Sequence, residues 1–307
     1  MRILFLLLSL IIVSAPVYSA TGKTGNTTST AAIQHTAIKV VTSFSILDNL
    51  VSELGGDHVH IVNLVGRNSD AHMYQPKPSD AVAVAHADLV ILNGLGFEGW
   101  MTRLLANSRY KNTTLVASQG VTPLMLGDEV DPHAWQSFEN IRIYIDNITQ
   151  SLRSLRPEYA TEFSQRHDAL SHKITALQKA LKERINTIVP AKRVVVTSHD
   201  AFGYLGQEWG IQFLAPVGLS TDTEASAADV ANLIKDIRQR EVKALFIENI
   251  NNPRVLELIA SETGVTVGGR LYSDALSDMD GPASTYVDMM RHNIEAITLA
   301  LSERGKH

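Results

Sequence analysis

Between Pro157 and Pro190, apolar residues at Phe163, Leu170, Ile174, Leu177, Leu181, Ile185 and Ile188 recur on one helical stripe. The spacing predicts a single helix over 157–190, about 30 residues and roughly 45 Å long at 1.5 Å per residue. That is more than twice the usual globular length of about 12 residues. A rod of this size dictates the plan of the chain, because whatever precedes and follows it must pack along its length.

The flanking stretches are alike. Before the rod, β-branched runs at 38–42, 58–65, 88–93 and 114–116 alternate with helical spacings at 45–54, around 79–85 and at 99–107, and a further helix carries Ile141, Ile145, Ile148, Leu152 and Leu155. After it, strands at 193–198, 211–214, 244–248 and 265–267 alternate with helices around Val230 to Ile237, after Pro253 and from Tyr286 to Leu301. Strand and helix in alternation, with short connections, is the pattern of a mainly parallel sheet covered by helices. The expected fold is therefore α/β, two lobes, each a mainly parallel sheet flanked by helices, joined by one long backbone helix. The lobes are expected at 38–156 and 191–307.

The first 20 residues carry one basic residue, an apolar run through Val13 and a small-residue end at Ser19-Ala20. This predicts a cleavable export signal over 1–20, the apolar core being too short for a bilayer span. Residues 21–37, rich in Thr, Ser, Gly and Asn, hold too few apolar groups to pack and read as a disordered leader. With 0 cysteines there is no thiol after the signal to accept a lipid, so a free periplasmic protein, not membrane-spanning and monomeric, is expected. A net charge of -5 offers no electrostatic footprint for nucleic acid.

Against no cysteine stand 11 histidines. Four side chains fall on loops or strand ends: His72, between a strand and a proline-stiffened turn; His133, in Asp131-Pro-His-Ala-Trp135; His199, at the end of Val195-Val-Thr-Ser-His199; and Asp274, after the last strand. Imidazole nitrogens and a carboxylate are the donor set of a closed tetrahedral zinc shell, which leaves no water to activate. Taken singly, a loop His is more often a surface residue than a ligand, and Asp274 is most simply a turn former. His58, His60, His86, His167, His172 and His292 sit inside predicted strands or helices and read as structural or solvated.

At these same places the chain resembles the metal-binding solute receptors of bacterial zinc and manganese ABC importers, the ZnuA/TroA type. The resemblance rests on Asp70-Ala-His-Met-Tyr-Gln-Pro-Lys-Pro-Ser-Asp80, Asp131-Pro-His-Ala-Trp135, Ser198-His-Asp-Ala-Phe-Gly-Tyr204, and Leu271-Tyr-Ser-Asp-Ala-Leu-Ser-Asp278 with Gly281-Pro and Tyr286 to Asn293. It runs from about residue 38 to the C-terminus. It departs from the family pattern at Ala71, Gln75 and Gln136-Ser-Phe138, and the stretch 121–130 lacks the histidine-rich loop of some zinc members.

The resemblance implies two lobes on a backbone helix, His72, His133, His199 and Asp274 as metal ligands in the cleft, and a membrane permease as partner. Three imidazoles and one carboxylate favour Zn²⁺, with Mn²⁺ or a mixed Mn/Zn/Fe site as the alternative, because manganese prefers oxygen. No enzyme activity is expected. The remote alternative, a secreted zinc hydrolase, would need an open coordination position and a base drafted from Glu248 or Asp200.

Overall fold

The computed structural model describes residues 36–302. The export signal expected at 1–20, and all but the last two residues of the leader expected at 21–37, lie outside them.

Two four-stranded parallel sheets form the frame. The first has β1 (Ile38–Phe44), β2 (Val59–Val65), β3 (Leu89–Leu92) and β4 (Thr113–Val116) in the order β2-β1-β3-β4. Helices α1 (Ser45–Gly55), α2 (Pro78–Ala85) and α3 (Met101–Asn107) connect them. A small antiparallel hairpin, β5 (Met125–Leu126) and β6 (Glu129–Val130), follows. Helix α4 (Asn140–Leu155) then leads to the long helix α5 (Ala160–Ile185).

The second sheet comprises β7 (Val194–Val196), β8 (Gln212–Leu214), β9 (Ala244–Glu248) and β10 (Thr266–Leu271), in the order β10-β9-β7-β8. Its helices are α6 (Gly203–Trp209), α7 (Ala227–Arg240), α8 (Arg254–Thr263) and α9 (Tyr286–Leu301). The predicted pattern of two parallel sheets on one long helix is the observed one.

Helix α5 spans 26 residues, roughly 39 Å, rather than all of 157–190. Pro157 opens a separate 3-10 turn over Pro157–Tyr159. At the other end, Asn186, Thr187 and Ile188 close as turns, and Val189 is extended as a residue before proline tends to be. Every predicted stripe residue of α5, Phe163 through Ile185, is buried, each such side chain contributing about 1.5–3 kcal/mol by leaving water. The helix packs on α1 and α4 from the first half and on α9 from the second, so one continuous apolar core joins both sheets along it. A smaller cluster, with Leu233, Ile237, Leu256 and Ile259 on Val196 and Leu245, lies between the second sheet and α7 and α8.

Both strand orders reverse direction next to a central strand. In the first sheet the reversal falls between β1 and β3, in the second between β7 and β9. Open parallel sheets bind ligands beyond the carboxyl ends of the strands at such a reversal.

Candidate metal site

His199 lies three residues beyond β7, where a parallel bridge to Val217 continues the strand direction. Glu248 ends β9, the other strand of the reversal, and its carboxylate holds the turn together. Its Oε1 accepts the amides of Ser198 (2.8 Å) and His199 (3.0 Å), while its Oε2 lies 2.6 Å from Nδ1 of His199. With Nδ1 held by a carboxylate, the imidazole presents Nε2 to the interior.

His133 is built the same way from a different loop. Asp131 Oδ1 accepts both the His133 amide (2.9 Å) and its Nδ1 (2.8 Å), which turns Nε2 inward. His72 is carried by the loop between β2 and α2. That loop is tied down by His72 N to Asp70 Oδ1 (2.8 Å), by Trp100 Nε1 to the Ala71 carbonyl (2.8 Å), and by Asp80, which accepts from the Tyr74 hydroxyl and the Lys77 amide. The carbonyl of Ala71 is thus fixed by an indole, although this residue departs from the family pattern.

Asp274 follows β10 and is fully buried. Its Oδ2 lies 3.3 Å from His72 Nε2 and 3.2 Å from His199 Nε2, and its Oδ1 lies 3.6 Å from His133 Nε2. The donor atoms of His72, His133, His199 and Asp274 all fall within 4.8 Å of one another. None of the three Nε2 atoms and neither Asp274 oxygen has a hydrogen-bond partner. Five inward-facing polar atoms that face only one another and make no hydrogen bond, at a point sealed from solvent, form a cradle for a cation.

The walls are aromatic. Phe97 stands edge-on to His72 with ring centroids 4.6 Å apart, and packs on Phe44 at 5.0 Å and Trp135 at 4.8 Å. The Gly94-Leu95-Gly96 turn that delivers Phe97 has three successive positive φ angles, 87°, 55° and 86°. A Cβ on Gly94 would meet Val116 Cγ1 at 2.4 Å, so glycine is required there for space as well as conformation. The local signal for this turn is the Gly-Leu-Gly-Phe run after β3, which lies outside the strand and helix periodicities. Nor does the sequence alone give Asp131 a role.

Burial alone would lower the pKa of His199, but the Glu248 and Asp274 carboxylates outweigh it and hold the imidazole well above its ordinary value. For Asp274, burial pushes upward and is outweighed by His199 and His133, leaving the carboxyl well below the usual range. Without a cation the two carboxylates therefore favour the charged form of His199 over the neutral one.

Residues 40–300 match the family described as zinc-uptake complex component A, periplasmic. The chain belongs to this family. It is 32% identical over 272 residues to the zinc-binding protein TroA of Treponema pallidum, covering 86% of this chain and 88% of that protein. It is 31% identical over 274 residues to the manganese-binding lipoprotein MntA of Bacillus subtilis, covering 86% and 90%. The solved structure of periplasmic zinc-binding TroA superposes with a TM-score of 0.84 at 30% identity, covering 88% of this chain and all of that one.

Members of this family are metal-binding receptors of ABC importers, not enzymes. The geometry agrees, since Glu248, drafted from sequence as a hydrolytic base, is committed to His199 and its neighbouring amide. Asp200, pushed up to about 6 mainly by burial, gives its amide to the Gly218 carbonyl. Among the described residues, no helix is long and apolar enough to cross a membrane.

Proposed function

We propose that this receptor captures Zn²⁺ in the periplasm through His72, His133, His199 and Asp274 and surrenders it to the permease of an ABC importer. The observation that carries the reading is the set of inward-facing atoms that make no hydrogen bond, three Nε2 and a carboxylate, within 4.8 Å of one another. Three neutral imidazoles and one carboxylate make a four-coordinate shell of net charge -1, which suits zinc and leaves no position for an activated water. Because Asp131 and Glu248 hold the outer nitrogens of His133 and His199, these two rings need not reorient on binding.

Manganese is the second reading. Both oxygens of Asp274 face the histidine nitrogens, so the carboxylate can supply two oxygen donors to a larger ion. Chelator competition with Zn²⁺ and Mn²⁺, on protein purified without chelator, separates the two. Zinc binding stronger by at least two orders of magnitude supports the first reading, and the reverse order replaces it by the second. His199→Ala should abolish tight binding of either ion; unchanged affinity in that variant sinks the site assignment.

A further inference from the structure

The two residues following the His133 turn reach across to the Asp274 loop. Trp135 Nε1 donates to the Ser273 carbonyl at 2.9 Å, and Gln136 Nε2 donates to the same oxygen at 2.7 Å. Gln136 is fully buried and its Oε1 has no partner. The amide cannot be turned round, because a carbonyl oxygen accepts and only the NH₂ end can face it.

On stability grounds this glutamine is poorly placed. The Ser273 carbonyl is already satisfied by the indole, so the second bond adds little, while a buried acceptor without a partner costs about 1–3 kcal/mol. An apolar side chain of similar volume would serve the core better. What the second donor does is confine the carbonyl, and the carbonyl precedes Asp274 directly. Neither oxygen of Asp274 has a hydrogen-bond partner. Apart from the imidazoles that share the site with it, nothing holds the carboxylate by its side chain, so its support comes through the main chain, unlike His133 and His199, whose outer ring nitrogens are held by carboxylates.

We infer that Gln136 is a positioning residue for Asp274 and, through it, a determinant of which divalent ion the site prefers; this rests on the receptor reading above. A carboxylate held at one angle favours the compact four-coordinate shell of zinc. A carboxylate free to swing offers both oxygens and lets water in, which favours a larger ion with more oxygen ligands.

The test is Gln136→Leu and, as a second variant with the same reach and no donor, Gln136→Met. Three quantities are read on each: the rate of Zn²⁺ release to a colorimetric chelator, the ratio of Zn²⁺ to Mn²⁺ affinity, and the thermal midpoint of the metal-free protein. Both variants should release Zn²⁺ about 10-fold faster, the lower end of the effect of removing a group that supports a ligand. The affinity ratio should fall by a similar factor, and the metal-free midpoint should hold or rise. Release and ratio at wild-type values in a correctly folded variant overturn the inference, as does a midpoint that falls in step with affinity, since that would make Gln136 simply part of the packing. Failure of the wild-type protein itself to bind Zn²⁺ or Mn²⁺ tells against the receptor reading instead.

Discussion

His199 and Asp274 both follow strands of the second sheet and reach the same point, yet they are mounted in different ways. His199 is fixed within its own half: Glu248 on the neighbouring strand takes its ring nitrogen and two successive amides. Asp274 is fixed from both halves: Asn249, next to Glu248, donates to the Ala275 carbonyl at 3.1 Å, and the opposite half holds the rest of the loop. Ser273 is held by Trp135 and Gln136, the Leu276 amide by Ser45 Oγ (3.0 Å), the Leu276 carbonyl by the Asn68 amide (3.0 Å), and the Ser277 carbonyl by Arg67 (2.8 Å). Of the two, only His199 is anchored to the second sheet by its side chain. The loop of Asp274 is stitched to the elements that carry His72 and His133 as well as to its own half, so Asp274 ties the two supports together while His199 rests on one.

The largest expected effect comes from removing the support of His199. Glu248→Ala leaves two buried amides and Nδ1 of His199 without an acceptor, and breaking a buried pair of this kind costs about 3–5 kcal/mol. Denaturant unfolding of the metal-free protein should show that loss, and Zn²⁺ affinity should fall by about 100-fold. A variant with wild-type affinity would erase the distinction between the two mounts.

Next in size is the response to pH. His199 is held above its ordinary value by Glu248 and Asp274 against the pull of burial. Its contribution to the metal-free fold is therefore complete below the unfolded imidazole value of about 6.5 and is lost as pH rises through the higher folded value. Asp274 is depressed by His199 and His133 against burial, so its contribution is present above about 3.9 and is lost as pH falls through the lower folded value. Metal requires the His199 proton to leave, so zinc affinity should keep rising above pH 7, by up to about tenfold per unit for the one proton released. Thermal unfolding with and without Zn²⁺ from about pH 5 to about pH 9 reads both trends: the metal-free midpoint should drift down on the alkaline side as the zinc-induced shift grows. Parallel curves would remove the His199 proton from the account.

Arg67→Ala tests the support of Asp274 more gently. The guanidinium bonds the carbonyls of Ser277 and Ser284 at 2.8 and 2.9 Å and is only partly buried, so its loss should cost about 1–2 kcal/mol of stability. Affinity should drop by less than in Glu248→Ala, because Trp135, Gln136 and Ser45 still hold the loop. A loss equal to that of Glu248→Ala would mean that Arg67 alone fixes Asp274.

The unequal mounting also explains what sequence reading could reach. The stripe of α5 and the β-branched runs are local patterns, and the four candidate residues stand in short motifs, so the frame and the residues at its centre were legible. The apolar pattern predicts three residues for strand β10, which has six, because Gly268-Gly269 and a register shift break that pattern. The hairpin β5–β6 went unread since strands of two exposed residues carry no alternation. The motif around Asp274 does not reveal its anchorage to the first half. That depends on partners 137, 138 and 231 residues away, and no local signal encodes a bond between a carbonyl and an amide so distant.

The smallest effect should come from one of the direct side-chain links between the two halves. Thr221, in the segment after β8, donates its hydroxyl to Asp70 Oδ2 at 2.6 Å, while Asp70 Oδ1 holds the amide of His72. The bond therefore runs from the half that carries His199 to the loop that carries His72. Both groups are partly open to water, which replaces the lost partner, so Thr221→Val should cost only about 1 kcal/mol. If the halves move apart to exchange metal, such a bond opposes the opening step more than it stabilises the bound state. Release of Zn²⁺ should then accelerate about 5-fold, with capture accelerating as well and affinity nearly unchanged. If only release accelerates, so that affinity falls by the same factor, Thr221 acts by holding His72 in place, and the division into two supports has no part in metal exchange.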